Sequence, residues 1–216
     1  MPNYVQNILS FDGDQDQVSR LFSAIQGENG PMDFSKLIPM PPELKIEASS
    51  RTTAGLKKYM EFIVDHGFST EREPAYLNAH LEIDREEWAL GKQALHNLQN
   101  FGYPTWYEWR NQNWGTKWNA RGSEISDGRL SFQTAWNAPK PVMEKLSEMF
   151  PTVSIHHAWA DEDIGFNCGE CTYQNGAVTQ EYLPTGQEAV ELACDLWDLD
   201  PEEFFDENQE SGMEMT

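Results

Sequence analysis

The first residues alternate. "NYVQNILSF" (3–11) is β-rich with a partial period of two, which predicts a strand. The period then lengthens. In "DGDQDQVSRLFSAIQG", Val18, Leu21, Phe22 and Ile25 share one helical face, acids precede them where a helix N-terminus favours negative charge, and Gly27 stands where the helix can stop. "DFSKLIPMPPEL" carries prolines at 39, 41 and 42 and reads as an extended connector leaving that unit.

Residues 43–113 read as helical. "TAGLKKYMEFIVDHG" sets Leu56, Tyr59, Met60 and Ile63 at helical spacing and ends at Gly67. "DREEWALGKQALHNLQNFG" opens with an Asp cap and acids in its first turn. It places Trp88, Leu95 and Leu98 on one side, and Gly102 closes it. "PTWYEWRNQNWG" starts with proline at a natural first-turn position, and its Trp106, Trp109 and Arg110 fall on one face.

From residue 117 the period returns to two. "KWNARGSEIS" and "RLSFQTAWN" flank Asp127-Gly128, a strong signal for a tight hairpin turn. Leu130, Phe132, Thr134 and Trp136 fall on one face, with Ser131, Gln133 and Ala135 on the other. "APKPVMEKLSEMF" predicts a helix with Val142, Leu146 and Met149 or Phe150 inward. "PTVSIHHAWADE" predicts a strand with Val153, Ile155, His157 and Trp159 together and His156 opposite. "IGFNCGECTYQNGAVTQEYL" predicts a second hairpin turning at Asn175-Gly176, and "TGQEAVELACDLWDL" a final amphipathic helix.

With the helical block removed, the element order is βαββαβ, a ferredoxin-like α+β pattern. The expected organisation is a ferredoxin-like domain from residues 1–36 and 115–183, a helical insertion over 37–114 after the first helix, a C-terminal helix over 184–206 and a disordered acidic tail over 207–216. Four tryptophans, at 106, 109, 114 and 118, cluster where the insertion returns. Rings of this size each bury about 150–250 Å² and suit a core or interface. The other reading is an exposed pocket made of Trp106, Trp109, Arg110, Trp114, Lys117, Trp118 and Asn119.

Charge changes the picture more than composition does. The chain has 216 residues and a net charge of −21. Residues 161–216 hold 16 acids and no Lys or Arg, so residues 1–160 carry the remaining 20 acids (36 − 16) against all 15 bases. A field of that sign repels phosphate backbones and draws basic partners. An RNA-recognition string is missing, and direct nucleic-acid binding is not expected. No run of about 18 apolar residues occurs. The start lacks a secretory pattern, and three cysteines do not make a disulfide framework, so the expected address is the cytoplasm.

Candidate chemistry is thin. Cys168 and Cys171 form a CxxC, with Cys194, His156 and His157 as further ligands of the kind zinc takes, yet no second CxxC exists and free cysteine is usually a small buried hydrophobe. "DEDIG" (161–165) lacks the alternation of a calcium loop and reads as a solvated turn. Neither nucleophile triads nor phosphate-cradling motifs can be placed, so no catalytic residue, metal or cofactor is assigned.

"NWGTKWNA", the β-β-α-β order, "WADEDIGFNCG" and the "Y…NG" hairpin resemble the YubB-like ferredoxin-like proteins of phages, prophages and conjugative plasmids. The resemblance is clearest from Tyr103 to Gly176. It implies a ferredoxin-like domain carried on mobile elements, without catalytic residues to carry over.

The leading expectation is a non-catalytic accessory protein that binds a basic or nucleic-acid-handling host protein. Its acidic surface would be formed by Asp161, Glu162, Asp163, Glu170, Glu188, Glu191, Asp195 and Asp198, as in a nucleic-acid mimic of anti-restriction or anti-CRISPR type. The alternative is a small-molecule or metal-dependent enzyme with a pocket between insertion and sheet, using Trp114, Lys117, Asn119, Asp161 and Asp163. A third reading is a structural component of a particle or complex.

Overall fold

In the first strand, β1 (Tyr4–Asp12), Val5, Asn7 and Leu9 are buried while the residues between them are half-exposed, the signature of a central strand with two unlike faces. The computed structural model describes residues 3–68 and 71–205. The chain divides into two compact units, Met1–Pro39 with Gln112–Thr216, and Met40–Asn111. The tail expected to be disordered, 207–216, lies outside the described residues.

The first unit is built on a six-stranded antiparallel sheet in the order β2-β3-β1-β4-β5-β6. The strands after β1 are β2 (Arg121–Ser126), β3 (Arg129–Ala135), β4 (Ser154–Asp161), β5 (Gly169–Gln174) and β6 (Ala177–Tyr182). Helical segments separate β1 from β2, and α7 (Lys140–Met149) separates β3 from β4. With β1 seated between β3 and β4, this is the ferredoxin-like arrangement within an α+β fold. The β5–β6 hairpin extends it at the β4 edge. Both predicted tight turns form. Asp127 and Gly128 have φ of 51° and 75°, and Asn175 and Gly176 have 51° and 78°, the left-handed pair that matches the twist of a two-residue hairpin.

One sheet face is covered by α1 (Gln15–Ile25), α2 (Phe34–Leu37) and α7. Leu21, Ile25, Phe34, Val142 and Leu146 close over Val5, Leu9, Leu130, Phe132 and Ile155. Phe34 meets Phe132 and Trp114 edge-on, with centroids 5.9 and 5.8 Å apart. Three expectations are corrected here. The proline-rich connector contains α2, because Asp33 caps Ser35 N–H and the buried Phe34 and Leu37 anchor the turn. The inward residues of α7 are Val142, Met143 and Leu146; of the two alternatives at its end Met149 is exposed and Phe150, the C-cap, is half-buried, because the helix stops there. Trp136 does not continue the β3 face: the strand stops at Ala135, and Trp136 takes φ 68° and turns outward.

The second unit packs α3 (Ser50–His66) against α5 (Arg85–Phe101), joined by α4 (Glu73–Ala79) and followed by α6 (Trp106–Asn113), which runs across the boundary into the first unit. Ser49 caps α3, and Asp84 caps α5 through Glu86 and Glu87 N–H. Its core is Tyr59, Phe62, Leu77, Trp88 and Leu95. Phe62 takes the inward place expected of Met60, and Leu98 is also largely exposed, because the helices touch along a line through Gly55 and Gly91 that turns these two outward.

Candidate functional site

The second face of the sheet is only half covered. The helix α8 (Gln187–Trp197) lies on β4 and β1 through small side chains, Ala189 and Ala193 against Ala160, with Leu196 and Cys168 in the same cluster. Trp197 pins the helix end by donating its indole N–H to the carbonyls of Ala160 and Asp161 at 3.1 and 3.0 Å. Beside the helix the sheet is open, and its register brings distant residues into two cross-strand rows. One runs Ser10, His156, Thr172, Gln180, and the next Ile8, Ala158, Glu170, Tyr182. With Arg129 at one side and Leu192 and Asp195 from α8 at the other, they line a cavity of about 580 Å³. That volume falls in the range of small-ligand pockets, about 300–1,000 Å³.

Two pairs of polar groups in this groove are hydrogen-bonded. Thr172 Oγ1 and His156 Nδ1 are 2.9 Å apart, and the Tyr182 hydroxyl donates to Glu188 at 2.8 Å. The Tyr182 phenol is raised above its ordinary range, first by the bond to Glu188, then by partial desolvation and the charges of Glu188, Glu170 and Glu191. Glu188 holds this hydroxyl, and Glu170 stands opposite Tyr182 across the β5–β6 ladder.

Glu188, Glu191 and Asp195 stand on the exposed side of α8, spaced three and four residues apart and opposite the buried Ala189 and Ala193. Asp198 is the left-handed cap of the same helix, with φ 56°, and is exposed, as are Glu162 and Asp163. Asp161 is a correction. It is 6% exposed and its carboxylate accepts from Asn3, Asn167 and the Asp163 N–H at 3.2, 3.2 and 3.0 Å. Its position at the inner end of β4 commits it to shaping the loop to β5, so it adds nothing to an acidic surface.

The tryptophan stretch divides between the units. In the second unit, Arg110 lies 5.0 Å from the centre of the Trp106 ring, its guanidinium pKa lowered by desolvation, and Trp109 is buried. In the first, Trp114 is 1% exposed and donates to the Ile38 carbonyl at 2.9 Å, which makes it a core residue and not a pocket wall. Asn119 is likewise a fastener: its amide donates to Asp33 at 2.6 Å and its oxygen accepts from Phe34 N–H at 2.8 Å, holding the start of α2. Lys117 sits 4.9 Å from both the Trp118 and Trp136 rings, a cation held between two aromatics.

Cys168, Cys171 and Cys194 are free and buried, and burial raises all three thiols. Cys168 packs under α8, whereas Cys171 lies beside His157 across the β4–β5 ladder and donates to Glu181 at 3.5 Å. Among the described residues no three His, Cys, Asp or Glu side chains converge as a metal-holding group. Among them, too, no helix is long and apolar enough to cross a membrane.

Residues 113–203 match the family model of the ferredoxin-like domain in Api92-like protein. The matched span includes every residue of the acidic set and the strands β2 to β6, while β1, the strand at the sheet's centre, comes from outside it. No curated protein matches the chain. A solved structure, that of a protein Api92 from Yersinia pseudotuberculosis, is similar at 13% identity and a TM-score of 0.39, over 86% of this chain and 99% of that one.

The groove itself was missed in the sequence. Ser10, His156, Thr172 and Gln180 are ordinary polar residues on solvent-facing strand positions, and only the register aligns them. The available signal was the polar face opposite Leu130, Phe132 and Thr134.

Proposed function

We propose that this chain is a non-catalytic accessory protein of a phage, prophage or plasmid, of the YubB-like ferredoxin-like kind, acting in the host cytoplasm by binding a basic host protein. The contact is the exposed side of α8 with Glu162, Asp163 and Glu170, and the polar groove beside it receives part of the partner. One observation carries this reading: α8 is charged against its own stability. Glu191 and Asp195 are like charges four apart, Asp195 and Asp198 stand at the negative end of the helix dipole, and its last turn has no basic residue. Each such placement costs a few tenths to about 1 kcal/mol, and the buried underside holds the helix in spite of it. Charges kept at a cost to folding are expected where they serve binding.

The spacing favours a basic protein segment over strict imitation of DNA. From Glu188 to Asp198 the helix rises about 15 Å with four carboxylates, roughly one per 5 Å, where a DNA strand has one phosphate per about 3.4 Å. Nucleic-acid mimicry in an anti-restriction or anti-CRISPR role is the narrower form of the proposal and needs further charge from Glu162 and Asp163, which follow β4. For the enzyme alternative, Trp114, Asn119 and Asp161 have side chains engaged in internal hydrogen bonds, which leaves it the weaker reading.

The test is capture from a bacterial host lysate at about 50 and about 200 mM salt, run beside the E188Q/E191Q/D195N variant. The expected result is a Lys/Arg-rich or nucleic-acid-handling protein that is retained by the wild type and lost with the variant and with salt. If no retained protein depends on these three carboxylates, the acidic face is not the contact.

A further inference from the structure

The helix α3 has two apolar faces and uses only one inside its unit. Thr52, Gly55, Tyr59 and Phe62 are buried against α5 and its neighbours. About 120° around the helix from that face, Met60 and Val64 are 46% and 84% exposed, in line with Leu56, which is half-buried and partly packed on the same core. These three stand at intervals of four and form a straight stripe in a shallow cavity of about 520 Å³. Along one flank of the stripe runs a second row at the same interval, Lys57, Glu61 and Asp65, all exposed. Isolated apolar side chains on a surface need no explanation, but a continuous stripe with an ordered charged border marks an interaction face.

We propose that this face pairs with the same face of a second copy of the chain, the two α3 helices running antiparallel about a two-fold axis at Met60. About that residue the apolar stripe is self-complementary, and the charged row sets each lysine between two acids. Two-fold pairing sets positions equally far before and after Met60 against each other. Leu56 then meets Val64 of the second copy, Met60 meets Met60, and the stripe closes on itself without a gap. A two-fold axis perpendicular to both helices also keeps the charged flank of each copy on the same side of the contact. Lys57 therefore falls midway between Glu61 and Asp65 of the second copy, the exchange is repeated at the other end, and the two Glu61 carboxylates that meet at the axis are bracketed by the two lysines. A foreign apolar helix would satisfy the stripe but has no reason to match a base followed by two acids at intervals of four. An isologous contact is the common solution for homo-oligomers, and one such patch gives a closed dimer.

The charge balance permits it. The unit Met40–Asn111 carries 11 acids and 8 bases, a net of −3, so the other −18 of the −21 belongs to the other unit. A contact of about two and a half helical turns is smaller than standard specific interfaces, so association is weak and is sought at chain concentrations from about 10 µM to about 1 mM.

Sedimentation equilibrium of the full chain tests the proposal, with circular dichroism melts to confirm that each variant is folded. Wild type is expected to shift from monomer to dimer over that range, and Met60→Asp to abolish the shift. K57E alone, which makes the flank wholly acidic, and E61K/D65K alone, which makes it wholly basic, should each weaken the dimer by at least about tenfold. The combined K57E/E61K/D65K chain reverses every sign, restores the match and returns the dimer. A chain that is monomeric throughout, a dimer indifferent to Met60→Asp, or a failure of the triple reversal to restore what K57E removes would each overturn the pairing.

Discussion

At the scale of single residues, the most telling group is His157. It lies 1% exposed on the core face of the sheet, its Nε2 donating to Asn7 Oδ1 at 2.9 Å, while Asn7 in turn donates to Thr134 Oγ1 at 2.9 Å. Burial, helped by the Lys140 charge, pushes its pKa from 6.5 down to about 3. Between those values the unfolded chain binds a proton that the folded chain refuses, so stability is full above pH 6.5 and is lost as pH falls through the window, by about 2 kcal/mol at pH 5. Urea unfolding at pH 7 and pH 5 should therefore show a drop that His157→Gln reduces by about that amount. An equal drop in both proteins would mean that His157 is not held neutral. Alternation along "TVSIHHAW" was enough to set His157 on the face of Ile155 and Trp159 and His156 on the other. Its partner Asn7 lies 150 positions away and was invisible. Asp161 shows the opposite failure: an acid in an acidic run reads as surface, yet Asn3 and Asn167 supply the hydrogen bonds that let it be buried.

Among elements, the α3–α5 contact depends on the absence of side chains. A Cβ placed on Gly55 would meet the Glu87 carbonyl oxygen at 2.0 Å, and one on Gly91 would meet the Gly55 carbonyl carbon at 2.0 Å. Alanine is the better helix former by about 1 kcal/mol, so the two effects compete. Backbone against backbone has no flexible atom to move aside, and overpacking wins. Gly55→Ala and Gly91→Ala should each destabilise the helical unit by about 1–3 kcal/mol in chemical denaturation, and a gain in stability would show that the helices do not touch there. The reverse holds on α8. Asp195→Asn removes a like-charge neighbour and an acid at the wrong end of the dipole, and should stabilise the chain by about 0.5–1 kcal/mol while weakening partner capture. Loss of stability would instead make Asp195 structural. Helix spans and caps were readable because their signals, Asp84 before Glu86 or Gly102 after Phe101, are local. That α3 needs glycine at 55 was not, because the reason lies on another helix.

For the whole molecule, charge is the dominant feature. With a net of −21, and 12 of the acids in the described stretch 161–205 with no base among them, the folded chain repels itself. Raising NaCl from about 20 to about 300 mM shortens the screening length from about 20 Å to about 6 Å, so the Tm should rise with salt while capture of a basic partner weakens. A Tm that falls over that range would mean that internal ion pairs outweigh the repulsion. The opposite responses distinguish charge kept for binding from charge kept for folding.

Much of this protein was legible in one dimension: the strands and the longer helices, the two left-handed hairpin turns, the βαββαβ order and the concentration of acids toward the C-terminal end. Each of these is written in neighbouring residues, because periodicity, capping and turn chemistry act over a few positions. Packing alone made the rest. Register aligned Ser10 with His156 and Thr172, and the underside of α8 chose which carboxylates face outward. Contact with α5 left Met60 and Val64 uncovered. A strand's pattern says which way a side chain points, but its neighbour across the sheet belongs to another part of the chain, and only the folded backbone brings the two together.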